Sequence, residues 1–205
     1  MDVDEVGCDL MTISSHKIHG PQGVGALFVR KGTQLQPMIY GGRHERSRRA
    51  GTENVPGIVG LGKAAELAMA GLERGDDRKM GMARDRLERE LLGIEGTGLN
   101  GKGAGRVPNT ANIYFDGVEG EALVIALDLK GLAVSTGAAC SSGAIEPSHV
   151  LIAMGMRSER AKASIRFSLG KQSSDEDVDF ALSLVPDTVG RLRDLSPVYC
   201  KVANS

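Results

Sequence analysis

Ser135-Thr136-Gly137-Ala138-Ala139-Cys140-Ser141-Ser142-Gly143 sets small residues on both sides of a single cysteine. Large side chains would commit such a segment to a strand or a helix. Gly137, Ala138, Ala139 and Gly143 bury little surface and restrict the backbone weakly, so the stretch is expected to be a mobile loop on which the thiol can move and be reached. Such a thiol is either a catalytic group or a small residue that sits in a turn, because most free cysteines behave as small hydrophobes. The stretch alone leaves both readings open.

Outward from the cysteine, the flanking segments read as an α/β or α+β domain. Leu132-Ala133-Val134 is expected to be a strand that runs straight into the loop, and Pro147 to open a helix from Ser148 to Met154 that stops near Gly155. Thr110-Ala111-Asn112-Ile113-Tyr114-Phe115 alternates as a strand after a glycine-rich turn at 96–105, and residues 119–130 form an amphipathic helix ending at Gly131. Ser164-Ile165-Arg166-Phe167-Ser168-Leu169 is a strand with Ile165, Phe167 and Leu169 on one face and Arg166 and Ser168 on the other. Arg166 therefore projects from the polar face of a half-buried sheet, where its guanidinium either holds a carboxylate bidentately or serves as an ordinary surface arginine. Ser173-Ser174-Asp175-Glu176 is a cap-like start to a last helix through about Leu195, with Val178, Ala181, Leu182 and Val185 inward. Residues 196–205, with Cys200, read as a frayed tail.

Toward the N-terminus the pattern from Pro56 to about Ile94 is helical, with Ile58, Leu61, Ala65, Ala68 and Leu72, then Leu87, Leu91 and Ile94. Gly71, Gly75 and Gly81 each cost about 1 kcal/mol relative to Ala in a helix, which predicts a break within 71–81. Residues 43–54 hold a basic cluster, Arg43, Arg46, Arg48 and Arg49. Gly41-Gly42 before it, two internal glutamates and no interleaved aromatics predict an ordered loop, with a phosphate monoester as its candidate anion, rather than a nucleic-acid stripe. Gly20-Pro21-Gln22-Gly23-Val24-Gly25 turns into a strand at Ala26-Leu27-Phe28-Val29-Arg30; glycines that open a strand rather than a helix fail the dinucleotide pattern. Asp9-Leu10-Met11-Thr12-Ile13 reads as a short strand ending in Ser14-Ser15-His16-Lys17. At the end of a buried strand Lys17 is either a desolvated amine of lowered pKa, as amine nucleophiles require, or a solvated loop lysine.

A chain of 205 residues with 41% hydrophobic content can bury the core of one large or two small domains. The near balance of 25 Lys plus Arg against 26 Asp plus Glu excludes a whole-molecule field that steers the chain to nucleic acid or an anionic membrane. Three cysteines, Cys8, Cys140 and Cys200, odd in number and far apart, make neither a disulfide framework nor a structural zinc site and fit a reducing cytoplasm. No apolar run approaches the roughly 20 residues that span a bilayer, and Met1-Asp2-Val3-Asp4 does not begin a signal pattern, so a soluble, non-exported chain is expected.

Taken in order, Ser14-x-His16-Lys17 with Gly20-Pro21-x-Gly23, Arg49-Ala50-Gly51-Thr52-Glu53-Asn54, Ser135-x-Gly137-x-Ala139-Cys140 and Arg166-Phe167-Ser168 resemble the cysteine desulfurases of the NifS and IscS type, from about residue 9 to about 195. The resemblance implies an α/β fold: part of the large domain of the fold-type I pyridoxal-phosphate enzymes, followed by a small α+β C-terminal domain. It divides the chain into a remnant of the cofactor domain at 1–55, a connecting helix at 56–94, the small domain with the cysteine loop at 95–195, and a tail at 196–205. It implies pyridoxal 5'-phosphate as cofactor, Lys17 as the Schiff-base lysine, Ser14 and His16 as phosphate ligands, and Thr52 as the residue that reaches the phosphate of a partner subunit's cofactor in a homodimer. Arg166 resembles the arginine that holds the carboxylate of L-cysteine, and Cys140 the nucleophile, with His16 the candidate to favour its thiolate. As a persulfide, Cys140 is then expected to deliver sulfur to an iron–sulfur scaffold protein and to serve there as a transient metal ligand.

Members of that family are about twice as long, and the part before their lysine carries the aspartate that pairs with the pyridine nitrogen, a stacking histidine, and asparagine and glutamine contacts to the ring oxygen. The motifs here begin at Ser14, so the chain is expected to be a C-terminal half, inactive until a missing N-terminal half is supplied. Arg43 stands where relatives usually have a third glycine after Gly41-Gly42. Two other readings stay open: a selenocysteine lyase that uses the same lysine, and a non-catalytic dimerisation or scaffold-docking fragment. A nucleic-acid binder using residues 43–49 is set aside, because a near-neutral chain supplies phosphate contacts poorly.

Overall fold

The structure, a computed structural model, describes residues 2–136 and 146–196, which fall into two compact units divided between Arg74 and Gly75. The expected cysteine loop around Cys140, and the tail with Cys200, lie outside the described residues.

The first unit begins with α1 (Val3–Val6), a single turn whose Asp4 N–H donates to the Asp2 carboxylate and which ends at a left-handed Gly7. β1 (Leu10–Ser14) and β2 (Gly25–Val29) pair antiparallel, from Leu10 opposite Val29 to Ser14 opposite Gly25. Arg30 fastens α1 to the end of β2: its guanidinium donates to the Val3 carbonyl (2.8 Å), the Cys8 carbonyl (3.0 Å) and the Asp4 carboxylate (2.8 Å). The hydrogen bond to Asp4 holds the Arg30 pKa above its ordinary value. α2 (Val55–Glu73) starts where the Asn54 side chain accepts the Gly57 N–H, with Pro56 pre-set for the first turn.

Little of this unit is enclosed. Its buried residues are small, Ser15, Ala50, Gly57 and Ala64, while Leu10, Ile13, Leu27, Ile58 and Val59 stay exposed. α2 is long and apolar enough, by length and composition, to cross a membrane, which corrects the expectation that no run approaches that limit. Lys63 and Glu66 interrupt the run without cancelling its apolar average, and they pair with each other at 2.6 Å in mid-helix.

The second unit owns a core. Gly75, left-handed at φ 76°, turns the chain from α2 into α3 (Asp76–Leu91), so the break expected within 71–81 falls at its start. Then follow β3 (Thr97–Leu99), β4 (Thr110–Phe115), α4 (Gly120–Asp128), β5 (Ser135–Thr136), α5 (His149–Ala153), α6 (Ser158–Lys162), β6 (Ser164–Ser168) and α7 (Asp175–Leu195). The four strands form one antiparallel sheet in the order β3-β4-β6-β5. Alternation sends Ala111, Ile113 and Phe115 of β4 and Ile165 and Phe167 of β6 to one face. There they meet Leu87 and Leu91 of α3, Leu123 and Leu127 of α4, and Val178, Ala181, Val185 and Val189 of α7. Helices gathered with an antiparallel sheet make this unit α+β.

Polar devices close its margins. Ser174 and Asp177 form a reciprocal capping box at the start of α7, as the serine–acid run predicted. Glu88, buried on α3, accepts both arms of Arg106 (2.6 and 3.0 Å), and Arg84 donates to the Val107 and Thr110 carbonyls (3.0 and 3.4 Å). These bonds tie the segment before β4 onto α3, and the hydrogen bond to Glu88 holds the Arg106 pKa above its usual value.

Three local expectations change. The strand expected at 132–134 is shifted to Ser135–Thr136, because the Leu132 N–H is used to close α4 on the Leu127 carbonyl (3.0 Å) after a left-handed Gly131. The glycine-rich turn at 96–105 contains β3, an edge strand that the Gly96 and Gly98 pattern hides. α6 was not foreseen; Pro147 and Ser148 mark only α5, where the Ser148 hydroxyl accepts the Leu151 N–H (3.5 Å).

Phe115→Ala, which empties a fully buried site, is expected to lower the stability of the second unit by about 3–5 kcal/mol in urea unfolding. Ser174→Ala is expected to cost about 1 kcal/mol through the lost cap. A Phe115→Ala effect smaller than the Ser174→Ala effect would show that this face is not the core.

Candidate active site

β1 ends at Ser14, and one 3-10 turn, Ser15–Ile18, follows and closes on a left-handed His19. Both of its ends are held: the Ser15 N–H donates to the Val24 carbonyl (3.1 Å), and the Gly20 N–H donates to the Ser15 carbonyl (2.9 Å). Ser15 is fully buried, and a Cβ on Gly20 would collide with its Oγ. A Cβ on Gly25 would stand 2.6 Å from the Ile13 carbonyl oxygen. The glycines are therefore close-approach positions in a turn that opens β2, as their place before a strand implied. With Ser15 turned in, Ser14, His16 and Lys17 are all exposed. β1 itself is exposed along most of its length, so Lys17 does not stand at the end of a buried strand in this chain.

Thr52 lies in the same unit, in the loop that leads to α2, and is exposed. The loop is built on backbone rather than on charge pairing. Ala50 is buried and its N–H donates to the Ile39 carbonyl (3.3 Å), while Arg49 donates to the Gly51 and Thr52 carbonyls (3.3 and 3.5 Å). Glu45, Arg46 and Ser47 are all left-handed (φ 48°, 57° and 63°), a conformation that costs non-glycine residues roughly 1–2 kcal/mol each. Arg43 precedes this strained turn, and the basic cluster is an ordered loop, as its glycines predicted.

Arg166 belongs to the second unit. It occupies the face of β6 opposite Ile165 and Phe167, as the alternation predicted, and it has a neighbour on either side: Asn112 of β4 and Ser135 of β5. Its Nε is buried without a hydrogen-bond partner, and so is the Ser135 Oγ. Asn112 is engaged from the other side, accepting from the Asn100 Nδ2, which also donates to the Ser164 Oγ (2.9 Å). Ser164 donates in turn to the Arg160 carbonyl (2.7 Å). Arg160 grips Asp116 with both arms (2.9 and 2.7 Å) and lies over the Tyr114 ring at 4.4 Å; the Asp116 hydrogen bond holds its pKa above the usual value. Sequence alone does not reveal this polar face, because only strand pairing shows which residues share it with Arg166. Its sole sequence signal was the polar parity of Thr110, Asn112 and Tyr114.

The structure thus gathers Ser14, His16 and Lys17 on one turn, sets Thr52 on another loop of that unit, and gives Arg166 a polar setting in the other unit. Cys140 lies outside the described residues. Among the described residues no group of three His, Cys, Asp or Glu is arranged to hold a metal ion. The donor set of the first unit fits pyridoxal phosphate in part. An exposed amine suits its aldehyde, and exposed hydroxyl and imidazole groups suit its phosphate.

The chain matches the aminotransferase class-V family over residues 1–180 and belongs to it, a family of pyridoxal-phosphate enzymes. Within it, the chain is similar to proteins named cysteine desulfurase. It is 49% identical over 201 residues to cysteine desulfurase IscS of Methanosarcina thermophila, an alignment that spans 98% of this chain and 50% of that protein. Against cysteine desulfurase IscS 1 of Archaeoglobus fulgidus the figures are 48% over 201 residues, 97% and 52%. Among solved structures, the NifS-like protein from Rickettsia africae superposes with a TM-score of 0.83 at 33% identity, covering 93% of this chain and 50% of that one. A second NifS-like protein gives 0.82 at 34% identity, covering 94% and 49%. The fold is therefore the α/β fold of the fold-type I enzymes, and the chain spans about half the length of the curated relatives it matches.

Gly20→Ala is expected to push Ser15 out of its site and release the Lys17 turn. The Gly20 amide should then lose hydrogen-exchange protection by about tenfold or more, since a small overpacked site costs roughly 1–3 kcal/mol. Unchanged protection would show that the turn does not depend on this contact.

Proposed function

We propose that the chain is the C-terminal half of a pyridoxal-phosphate-dependent cysteine desulfurase, which converts L-cysteine to L-alanine and passes the sulfur, as a persulfide on Cys140, to an iron–sulfur scaffold. The observation that carries the reading is Arg166. Its guanidinium sits on the polar face of a packed sheet between Asn112 and Ser135, and among the described residues no carboxylate pairs with it, a setting that suits capture of a carboxylate. The similarity to named desulfurases supports the same reading.

In this reading Ser14, His16 and, across a homodimer, Thr52 bind the cofactor's phosphate, and Lys17 is the amine that meets its aldehyde. The cofactor, when bound, supplies the electron sink that weakens the C–S bond of the substrate. Arg166 orients the substrate by its carboxylate, and the Lys17 amine, once released, moves the α-proton. Cys140 attacks the substrate sulfur as thiolate: an S–S bond forms, the C–S bond breaks, and a proton returned to carbon gives L-alanine. L-cysteine and the Cys140 thiol thus become L-alanine and a Cys140 persulfide. The reducing conditions that keep such a thiol free point to the cytoplasm as its setting.

The open state of the first unit supports the place of this chain in a longer protein. A two-stranded sheet is marginal in water, and here it leaves Leu10, Ile13 and Leu27 exposed beside a loop in which Met38 and Tyr40 are 93% and 80% exposed. An N-terminal half that adds strands to this sheet would cover such surface and bring the groups that hold the pyridine ring.

The test is visible absorbance of the chain with pyridoxal phosphate, followed by alanine assay with L-cysteine, each beside Lys17→Ala. The chain alone is expected to make no alanine; joined to its N-terminal half it should form a lysine-dependent band and alanine. Cys140→Ser should keep the band and lose persulfide formation. Alanine made by the chain alone, and abolished by Lys17→Ala, would overturn the half-site reading.

A further inference from the structure

Ser135 stands directly opposite Arg166 across the β5–β6 pair, where facing side chains have Cβ atoms about 4.5–5.5 Å apart. Each holds a buried polar atom without a partner: a donor N–H on the Arg166 Nε and an acceptor oxygen on Ser135. Unmatched, the two atoms are each a desolvation penalty; matched, they cancel.

The other buried acceptor left without a partner in this network, the Asn100 Oδ1, follows β3 and is separated from β6 by β4, and the nearer neighbours of Arg166 offer no equal partner. Asn112, opposite on β4, already has its Oδ1 engaged by Asn100, and its amide nitrogen donates rather than accepts. Ser164, two residues earlier on the same face, accepts from Asn100 and donates to the Arg160 carbonyl. Ser168, two residues later, is exposed.

We infer that Ser135 is a positioning residue for Arg166: its hydroxyl accepts the Nε–H and fixes the plane of the guanidinium. A guanidinium grips a carboxylate with two parallel N–H groups, either through Nε and one terminal nitrogen or through both terminal nitrogens. With Nε held by Ser135, the paired terminal nitrogens face the carboxylate. The bond asks for a side-chain rotation at Ser135 or Arg166 and leaves the strand register as it is. The role in substrate capture rests on the proposed desulfurase reading; the Ser135–Arg166 bond does not.

The experiment reads the two separately. In side-chain 15N–1H spectra of the whole 205-residue chain, the Arg166 Nε–H is identified by its loss in Arg166→Lys. It is expected to be resolved from the exposed arginines and slow to exchange with water. Ser135→Ala should move it and speed its exchange by about tenfold, the effect of one lost bond to a charged group, while Ser135→Thr, which keeps the hydroxyl, should preserve it. An Arg166 Nε–H unaltered in Ser135→Ala, in a chain whose backbone amide spectrum is otherwise retained, overturns the inference. In the chain joined to its N-terminal half, Ser135→Ala should raise KM for L-cysteine about tenfold with kcat within about twofold, and Ser135→Thr should restore it. If the Nε–H responds as expected and KM does not, the bond stands and the positioning role in substrate capture fails; a KM unchanged in Arg166→Lys as well would overturn the assignment of Arg166 to the substrate carboxylate.

Discussion

The two-residue period of β6 is the constraint from which the rest of the second unit follows. Ile165 and Phe167 enter a core shared with β4, α3, α4 and α7, and a pleated strand that buries these residues must turn 164, 166 and 168 the other way. A slip of one residue would put the Arg166 guanidinium into that core, at the desolvation cost of a buried charge, so the register and the setting of Arg166 are specified by the same force. Because β6 lies between β4 and β5 rather than at an edge, Arg166 has a polar neighbour on each side. The hydrophobic effect thus places a charged group without touching it.

The two units meet this demand to different degrees. The second encloses its own aliphatic and aromatic core and seals its margins with a capping box and the buried Glu88–Arg106 pair. The first buries mainly small residues, and its order comes from backbone bonds, glycine contacts and the grip of Arg30 on α1. Ser14, His16 and Lys17 are exposed because the turn that carries them is anchored from within by Ser15 and Gly20. Such a turn presents an amine, a hydroxyl and an imidazole while the apolar residues Leu10, Ile13 and Leu27 of its sheet stay exposed.

Much of this was legible beforehand where the signal is local. Alternation at 110–115 and 164–169 marks both central strands, with the correct faces for β6, the glycines at 71, 75 and 81 mark the helix break, and the run Ser173-Ser174-Asp175-Glu176 marks the start of α7. Where a segment is short or its role is set at a distance, the local signal fails. β3 hides among glycines because a three-residue edge strand buries little. β5 was placed too early because Leu132 and Val134 are apolar for packing against the core, not for pairing. The residues Leu10 and Ile13 make the strand before Lys17 look buried, yet among the described residues nothing covers them.

Order and spacing of motifs, from the Lys17 turn through Thr52 and Cys140 to Arg166, were determined by the sequence alone, as were the helix breaks and caps, because each depends on residues within one or two turns of chain. Only the tertiary structure decided that Ser135 and Asn112 flank Arg166, that Ser15 faces inward while its neighbours face out, and that Arg106 reaches Glu88. Those facts depend on which distant strands and helices come together, and the register of such pairings is set by the burial of whole faces rather than by any residue's own preference.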